Sequence, residues 1–173
     1  MIRIPKPQAE EHAEYYARYI KLVGDDALGA LRAQSASTPR LLSGLSEAQA
    51  MHRYAPGKWS VKEVVGHLID GERVFSYRAL RIARADTTPL PGFDENAWVP
   101  AAHFDRRPLP DLVSDYQTVR AATVALFASL DEEALTRTGT ANDQPVSVRA
   151  LAHMIAGHEL HHIGILRERY GLS

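Results

Sequence analysis

Residues 60–69 read Ser-Val-Lys-Glu-Val-Val-Gly-His-Leu-Ile and predict the start of a long helix. Ser60 and Glu63 have the spacing of a capping box, in which the serine side chain accepts from the amide three residues on and the glutamate reaches back to the serine amide. The apolar residues that follow recur at steps of three and four, as on one face of a helix. We therefore predict a helix over about residues 60–84.

The same spacing continues on both sides of this segment, whereas strict alternation of apolar and polar residues is hard to find. Predicted helices span about residues 8–23, 25–45, 60–84, 111–130 and 147–170. Ser147 has the position of an N-cap and Gly171 that of a helix stop, while Pro39 is expected to bend or break the second helix. This pattern predicts an all-α fold, a four-helix bundle with an additional N-terminal helix, in a single domain of residues 1–173.

Residues 85–111 predict a long loop, because they hold five prolines and Gly92. Long loops in compact domains often cover a functional site. The alternative is a packed crossover anchored on the bundle by Phe93, Trp98 and Phe104. The sequence leaves both interpretations open.

Composition excludes several classes of function. Twenty Lys and Arg against 21 Asp and Glu give a net charge of -1, so we expect neither a nucleic-acid nor a membrane partner. The chain has no cysteine, which excludes disulfides, a thiolate nucleophile and cysteine-based metal sites. A signal peptide and a membrane-spanning stretch are not apparent, so a cytoplasmic location is expected.

The histidines form the most informative pattern. His158 and His162 lie four residues apart, so on a helix their side chains project side by side. Their face also carries Leu151, Ile155 and Ile165, and it should therefore point into the core. Neutral imidazole is a good ligand for divalent transition metals, and His67, which is flanked by apolar residues in the predicted helix 60–84, is the leading third ligand. Buried histidines without a metal are the alternative.

The remaining histidines fit the site less well. His161 points to the other side of His158 and is expected to flank the site. No comparable geometry applies to the others, which we expect at the surface or in loops: His12, His52, His103 and His153.

Residues 158–162 also match the H-E-x-x-H pattern of zinc metalloproteases, in which the glutamate is the general base. The glycine and third histidine of the extended protease pattern are replaced here by Ile165 and Glu168, which disfavours a protease. Glu159 is kept as a candidate catalytic base or hydrogen-bond partner of a ligand. Further acids that could orient the imidazoles are Glu63, Asp70, Asp94 and Glu95.

Three segments together resemble the DinB-like (DinB/YfiT-type) family over nearly the whole chain. They are Lys58-Trp59-Ser60-Val61-Lys62-Glu63-Val64-Val65-Gly66-His67-Leu68, Phe93-Asp94-Glu95-Asn96 and Gly157-His158-Glu159-Leu160-His161-His162. The resemblance implies a four-helix bundle, often dimeric, with a metal held by His67, His158 and His162. Some members are S-transferases that use a low-molecular-weight thiol, and others are thiol-dependent isomerases.

These observations predict a metal-dependent enzyme, foremost a transferase that activates a small thiol, or water, for attack on a small-molecule substrate. A metal-dependent hydrolase and a non-catalytic, metal- or ligand-binding stress-response bundle are the alternatives. Zinc or nickel is expected, with manganese or iron as further candidates, and the resemblance implies a homodimer. Several arginines are expected on exposed helix faces, with contact to an anionic cosubstrate as the alternative: Arg78, Arg81, Arg84, Arg167 and Arg169.

Overall fold

The computed structural model describes residues 3–173. Its α-helices and strands are, in chain order, α1 (Glu14–Ile20), α2 (Ala27–Leu42), α3 (Glu47–Ala50), α4 (Val61–Ala83), α5 (Glu95–Ala102), α6 (Leu109–Ala128), α7 (Glu132–Thr136), β1 (Thr138–Ala141), β2 (Gln144–Ser147) and α8 (Val148–Tyr170). Short 3-10 turns precede α1 at Ala9–Glu11 and follow α5 at Phe104–Arg106.

Four long helices form a bundle, to which α1 is added. Helix α4 packs against α6 and α8, and α2 packs against the same two helices. Helix α1 packs along α8. The predicted all-α four-helix bundle with an additional N-terminal helix is confirmed.

Helix α4 begins as its sequence predicts. The Glu63 amide donates to Ser60 Oγ at 3.0 Å, and the Ser60 amide donates to Glu63 Oε2 at 2.9 Å. Both halves of the capping box therefore form, which satisfies amides that have no partner within the helix.

Two clusters of buried apolar side chains fill the bundle. Helix α8 contributes residues as far as Ala156 to the first cluster, and Ile163 and Leu166 to the second. His158 and His162 lie between these two contributions. The two histidines therefore lie between two segments of α8 that pack in the apolar core.

Residues 85–111 differ from the predicted loop because they contain α5 and the second 3-10 turn. Asp94 caps α5 by accepting from the Asn96 amide at 2.9 Å. Phe104 is buried over Gly66 of α4, where a Cβ would come within 2.3 Å of the ring. The prolines shorten the helices here without preventing them, because buried aromatic contacts hold the segment on the bundle.

Three other segments also depart from the prediction. The first helix is shorter than the predicted residues 8–23. Helix α2 continues past Pro39, because the buried side chains of Thr38 and Leu42 keep its last turn on the core. A hairpin precedes α8, with Asn142 and Asp143 in the left-handed conformation that its tight turn requires. Its strands are too short for their alternation to be visible in the sequence.

Within residues 3–173, no helix combines the length and the apolar character needed to cross a bilayer.

Candidate metal centre

Helix α8 places two imidazoles side by side. Ser147 caps its N-terminus by accepting from the Ala150 amide at 3.0 Å, and Gly171 ends it with a φ of 71°. Four residues apart on this helix, His158 and His162 bring their Nε2 atoms to 3.1 Å. The predicted pairing of these two side chains is therefore seen in the structure.

Helix α4 adds His67 to this pair. Its Nε2 atom lies 2.9 Å from Nε2 of His158, and one ligand atom of each of the three histidines lies within 4.8 Å of the others. Gly71, one turn after His67, leaves room for this approach, since a Cβ there would lie 3.3 Å from the His158 ring. We call these three residues, His67, His158 and His162, the histidine cluster.

Burial keeps the cluster uncharged. Desolvation lowers the pKa of His67 to about 4 and that of His162 to about 3. Burial, followed by repulsion from the neighbouring histidines, lowers the pKa of His158 well below its ordinary value. Near neutral pH all three rings are neutral, the form in which imidazole binds a metal. Nitrogen lone pairs this close repel one another unless a proton or a cation lies between them.

A cavity of about 610 Å³ opens onto the histidine cluster. Six Phe, Trp and Tyr side chains form an aromatic part of its wall, to which α1 supplies Tyr15, Tyr16 and Tyr19. Further side chains complete the lining, including Arg18, Trp59, Phe75, Arg78, Phe93, Glu95 and His161. The cluster therefore faces a space large enough for a small-molecule ligand.

Glu159 lies in the bundle interior and is only 2 % exposed. Its carboxylate accepts from Thr38 and from Tyr116, the latter at 2.9 Å, and it forms an ion pair with Arg120. Arg120 also pairs with Glu72 at 2.8 Å. These contacts favour a structural role for Glu159, and its role as a catalytic base stays a prediction.

The other candidate acids are divided between the surface and the cavity. Glu63 caps α4 and pairs with Arg53, Asp70 pairs with Arg73 at 3.5 Å, and Asp94 caps α5. Glu95 lines the cavity, where its charge favours the protonated form of His67 without offsetting the burial.

Two sequence expectations about burial were wrong. His153 is fully buried instead of exposed, because α8 is covered on that side by the N-terminal segment; its Nδ1 lies 3.1 Å from the Arg149 carbonyl. Arg78 is 3 % exposed and lines the cavity. It follows His67 by about three turns on the same face of α4, so the spacing in the sequence indicates this position.

The aromatic wall was the main functional feature that the sequence did not reveal. The spacing of Tyr15, Tyr16 and Tyr19 in the sequence indicates only that they are apolar positions of a helix. Their place beside the histidine cluster follows from the docking of α1 on α8, which no local pattern encodes.

Comparison with known proteins places these features in a wider group. A protein of Geobacillus kaustophilus, named as a proposed metal-dependent hydrolase, is 28% identical over 151 residues, which cover 83% of this chain and 84% of that protein. The structure of YfiT from Bacillus subtilis, described as a proposed metal-dependent hydrolase with an unusual four-helix bundle topology, has a TM-score of 0.70 at 21% identity and covers 97% of this chain and 94% of its own.

A mycothiol-dependent maleylpyruvate isomerase also shares the fold, with a TM-score of 0.65 and 16% identity over 79% of this chain and 58% of that one. The model of the DinB superfamily matches residues 30–166, a stretch that includes the whole histidine cluster. The chain therefore belongs to the DinB superfamily.

Proposed function

We propose that the protein is a metal-dependent enzyme in which His67, His158 and His162 hold one divalent cation, and that it transfers a low-molecular-weight thiol to an electrophilic substrate. The observation that carries this proposal is the convergence of three neutral Nε2 atoms at the wall of a cavity.

The donor set fits a divalent transition metal. Two imidazole nitrogens bound tetrahedrally to zinc at about 2.0 to 2.1 Å lie about 3.3 Å apart. The two shortest separations in the cluster, 2.9 and 3.1 Å, are close to this value. Zinc and nickel are the preferred candidates, with manganese or iron as alternatives.

A cation held by three neutral imidazoles keeps its full charge and an open position, and it lowers the pKa of a coordinated thiol or water. The chain contributes the surroundings. Rings of Trp59 and Tyr19 lie 4.8 Å from His67 and 5.4 Å from His158, so they hold the imidazoles in place and exclude water from one side. Two reactants held in such a cavity also gain from proximity.

Two observations support a thiol as the nucleophile. The chain has no cysteine of its own, so thiol chemistry needs a thiol from solution. The maleylpyruvate isomerase that shares this fold is mycothiol-dependent. Hydrolysis is the second candidate, because the Geobacillus relative is named for it.

Elemental analysis tests the metal assignment. We expect about one equivalent of metal in the wild type and much less in His67→Ala, His158→Ala and His162→Ala. His103→Ala, at an exposed position outside the cluster, is the control. A full equivalent retained in any of the three cluster variants would contradict the assignment.

A conjugation screen tests the reaction. The protein is stripped of metal, reloaded with zinc, nickel, manganese or iron, and assayed with thiols and electrophiles. Conversion should require both metal and added thiol. Ester or amide hydrolysis at full rate without thiol would replace the transferase with a hydrolase, and no conversion with any metal would favour a binding protein.

A further inference from the structure

Buried cationic side chains in this protein differ in how their charge is balanced. Lys62, which is 2 % exposed, pairs with Glu47 at 2.6 Å, and Arg120, which is 1 % exposed, pairs with Glu72 and Glu159. Arg78 is equally buried, yet within residues 3–173 no carboxylate oxygen lies within ion-pair distance of it. Burial of an unpaired charge is costly. The unbalanced positive charge of Arg78 therefore favours the binding of an anionic group beside it.

The contacts of Arg78 leave most of its donors available. Nη2 donates to the Pro91 carbonyl at 2.6 Å, and the guanidinium carbon lies 5.8 Å from the ring centres of both Phe75 and Phe93. A guanidinium carries five N–H groups, so one carbonyl satisfies a minority of them. The side chain lines the cavity, where the Tyr16 hydroxyl is a favourable neighbour. Burial raises the pKa of Tyr16, so this hydroxyl is neutral and does not balance the charge. Glu95 lines the same cavity but does not form an ion pair with Arg78.

Arg78 and the histidine cluster both adjoin the Phe75 ring. The His158 ring is 6.2 Å from the Phe75 ring, which is in turn 5.8 Å from the Arg78 guanidinium carbon. The imidazole and the guanidinium are thus separated by no more than the sum of those two distances. A small molecule lying across Phe75 can reach both.

We propose that Arg78 binds a carboxylate of the substrate or of the thiol cosubstrate, so that the opposite, reactive end of that molecule lies at the histidine cluster. The inference rests on the proposed function and adds the chemical class of the ligand to it. The planar pair of donors and the single charge of the Arg78 guanidinium match a carboxylate; a phosphate has a similar geometry and is therefore compared directly in the test.

The test uses metal-loaded protein with cobalt as a spectroscopic probe. Its ligands are ω-mercaptoalkanoic acids of increasing chain length and the matching carboxamides, which have the same shape but no charge. The thiolate-to-cobalt charge-transfer absorption measures the binding of each compound. At the best chain length, the carboxylate should bind about tenfold or more tightly than its amide, as expected for a charge-assisted hydrogen bond.

Substitutions then assign this preference to one side chain. Arg78→Gln keeps a donor for the Pro91 carbonyl but removes the charge, and it should abolish the preference. Arg78→Lys should retain part of it. Arg84→Gln, at the exposed C-terminal end of the same helix, is the matched control and should leave it unchanged. Circular dichroism checks that each variant is folded.

Different outcomes distinguish the two proposals. Equal binding of acid and amide to the wild type, or a preference that survives in Arg78→Gln, would overturn the role of Arg78. Tighter binding of ω-mercaptoalkyl phosphates than of carboxylates would overturn the carboxylate assignment.

If no thiol produces the cobalt absorption, the thiol proposal fails and Arg78 is tested separately. Alkanoates without a thiol are then titrated into the wild type and Arg78→Gln and followed by ligand NMR line broadening. Weaker binding to Arg78→Gln supports a carboxylate site; identical binding overturns it.

Discussion

Arg120 holds two carboxylates inside the bundle, and its surroundings show how a buried charge is accommodated at the level of one residue. Burial lowers its pKa, but the hydrogen bond to Glu72 and the charge of Glu159 raise it by more. Tyr116 and Thr38 satisfy the Glu159 oxygen that Arg120 does not contact. Helices α2, α4, α6 and α8 each contribute to this network, so it fixes their relative positions behind the histidine cluster.

Arg120→Met should lower the free energy of unfolding by at least about 3 kcal/mol, because Glu72 and Glu159 are left buried without a cation. Glu159→Gln is the matched comparison and should cost less, since Arg120 keeps Glu72 and the amide oxygen can still accept from Tyr116. Urea unfolding measures both. Equal losses in the two variants would contradict this account.

Single residues also show what the sequence could and could not predict. His158 and His162 were predictable as a pair because the four-residue spacing alone brings them together on a helix. The proximity of His67 rested on its apolar neighbours and on the family resemblance. The spacing from His67 places Arg78 on the same face of α4, but its burial was not predictable, because it depends on contacts with Pro91 and Phe93, which lie beyond the end of the helix.

At the scale of the helix, two glycines of α8 differ in how closely their surroundings are packed. A Cβ on Gly157 would lie 2.1 Å from the Tyr19 carbonyl oxygen, whereas nothing lies within 4 Å of a Cβ on Gly164. The backbone of α1 thus contacts that of α8 directly, one residue before His158. Side chains at that point would separate the two helices.

Gly157→Ala should therefore displace α1 and destabilise the protein, whereas Gly164→Ala in the same helix should stabilise it by up to about 1 kcal/mol through helix propensity alone. Thermal unfolding followed by circular dichroism measures both changes. If Gly157→Ala is as well tolerated as Gly164→Ala, the close packing of α1 on α8 is wrong.

The start of α8 is tied to the N-terminal segment by Glu11, which pairs with Arg149 and accepts from Ser147 Oγ at 2.7 Å. The hydrogen bond from Arg149 lowers the pKa of Glu11 from 4.5 to about 2, against the opposing effect of burial. Between these values the unfolded chain binds more protons than the folded one, so the stabilisation is complete above pH 4.5 and is lost as the pH falls towards 2.

Glu11→Gln should consequently cost about 1 to 3 kcal/mol near neutral pH, and the difference from the wild type should shrink on acidification below the ordinary glutamate pKa. Urea unfolding at a series of pH values tests this. Glu10→Gln, with the same change of charge at an exposed neighbour, is the control. A difference that stays constant with pH would argue against the ion pair.

Among the helices and strands, the sequence predicted the features that depend on residues a few positions apart. Capping residues at Ser60 and Ser147 and the stop at Gly171 predicted the ends of the two site-bearing helices. Helix α5 was missed because it contains Pro100 and lies in a segment with four further prolines, although Asp94 caps it. Helices are specified by neighbours a few residues apart, but the hairpin and α5 depend on contacts with distant segments.

For the whole molecule, the bundle buries extensive apolar clusters that do not involve the metal centre. We expect the protein to remain folded when a chelator removes the metal. The melting temperature should fall by about 5 to 10 °C from a state with free metal at about 100 times Kd, the amount expected from ligand binding alone. Differential scanning calorimetry measures this shift, and His158→Ala should show none. Unfolding at room temperature on chelation would identify a structural metal instead.

Two properties of the whole molecule stay predictions: that residues 1–173 form a single domain, and that the protein is a homodimer. Light scattering coupled to size exclusion measures the second directly.

The aromatic wall supplied by α1 has a consequence for how this protein can diversify. The superfamily match begins at residue 30, after the seven residues of α1, while every residue of the histidine cluster lies within it. The tyrosines that α1 adds to the cavity wall are thus encoded outside the matched stretch, and the histidine cluster is encoded inside it. Point substitutions in one short helix can therefore change the shape of the cavity without changing a single imidazole, so the cavity can vary within a lineage that keeps the histidine cluster.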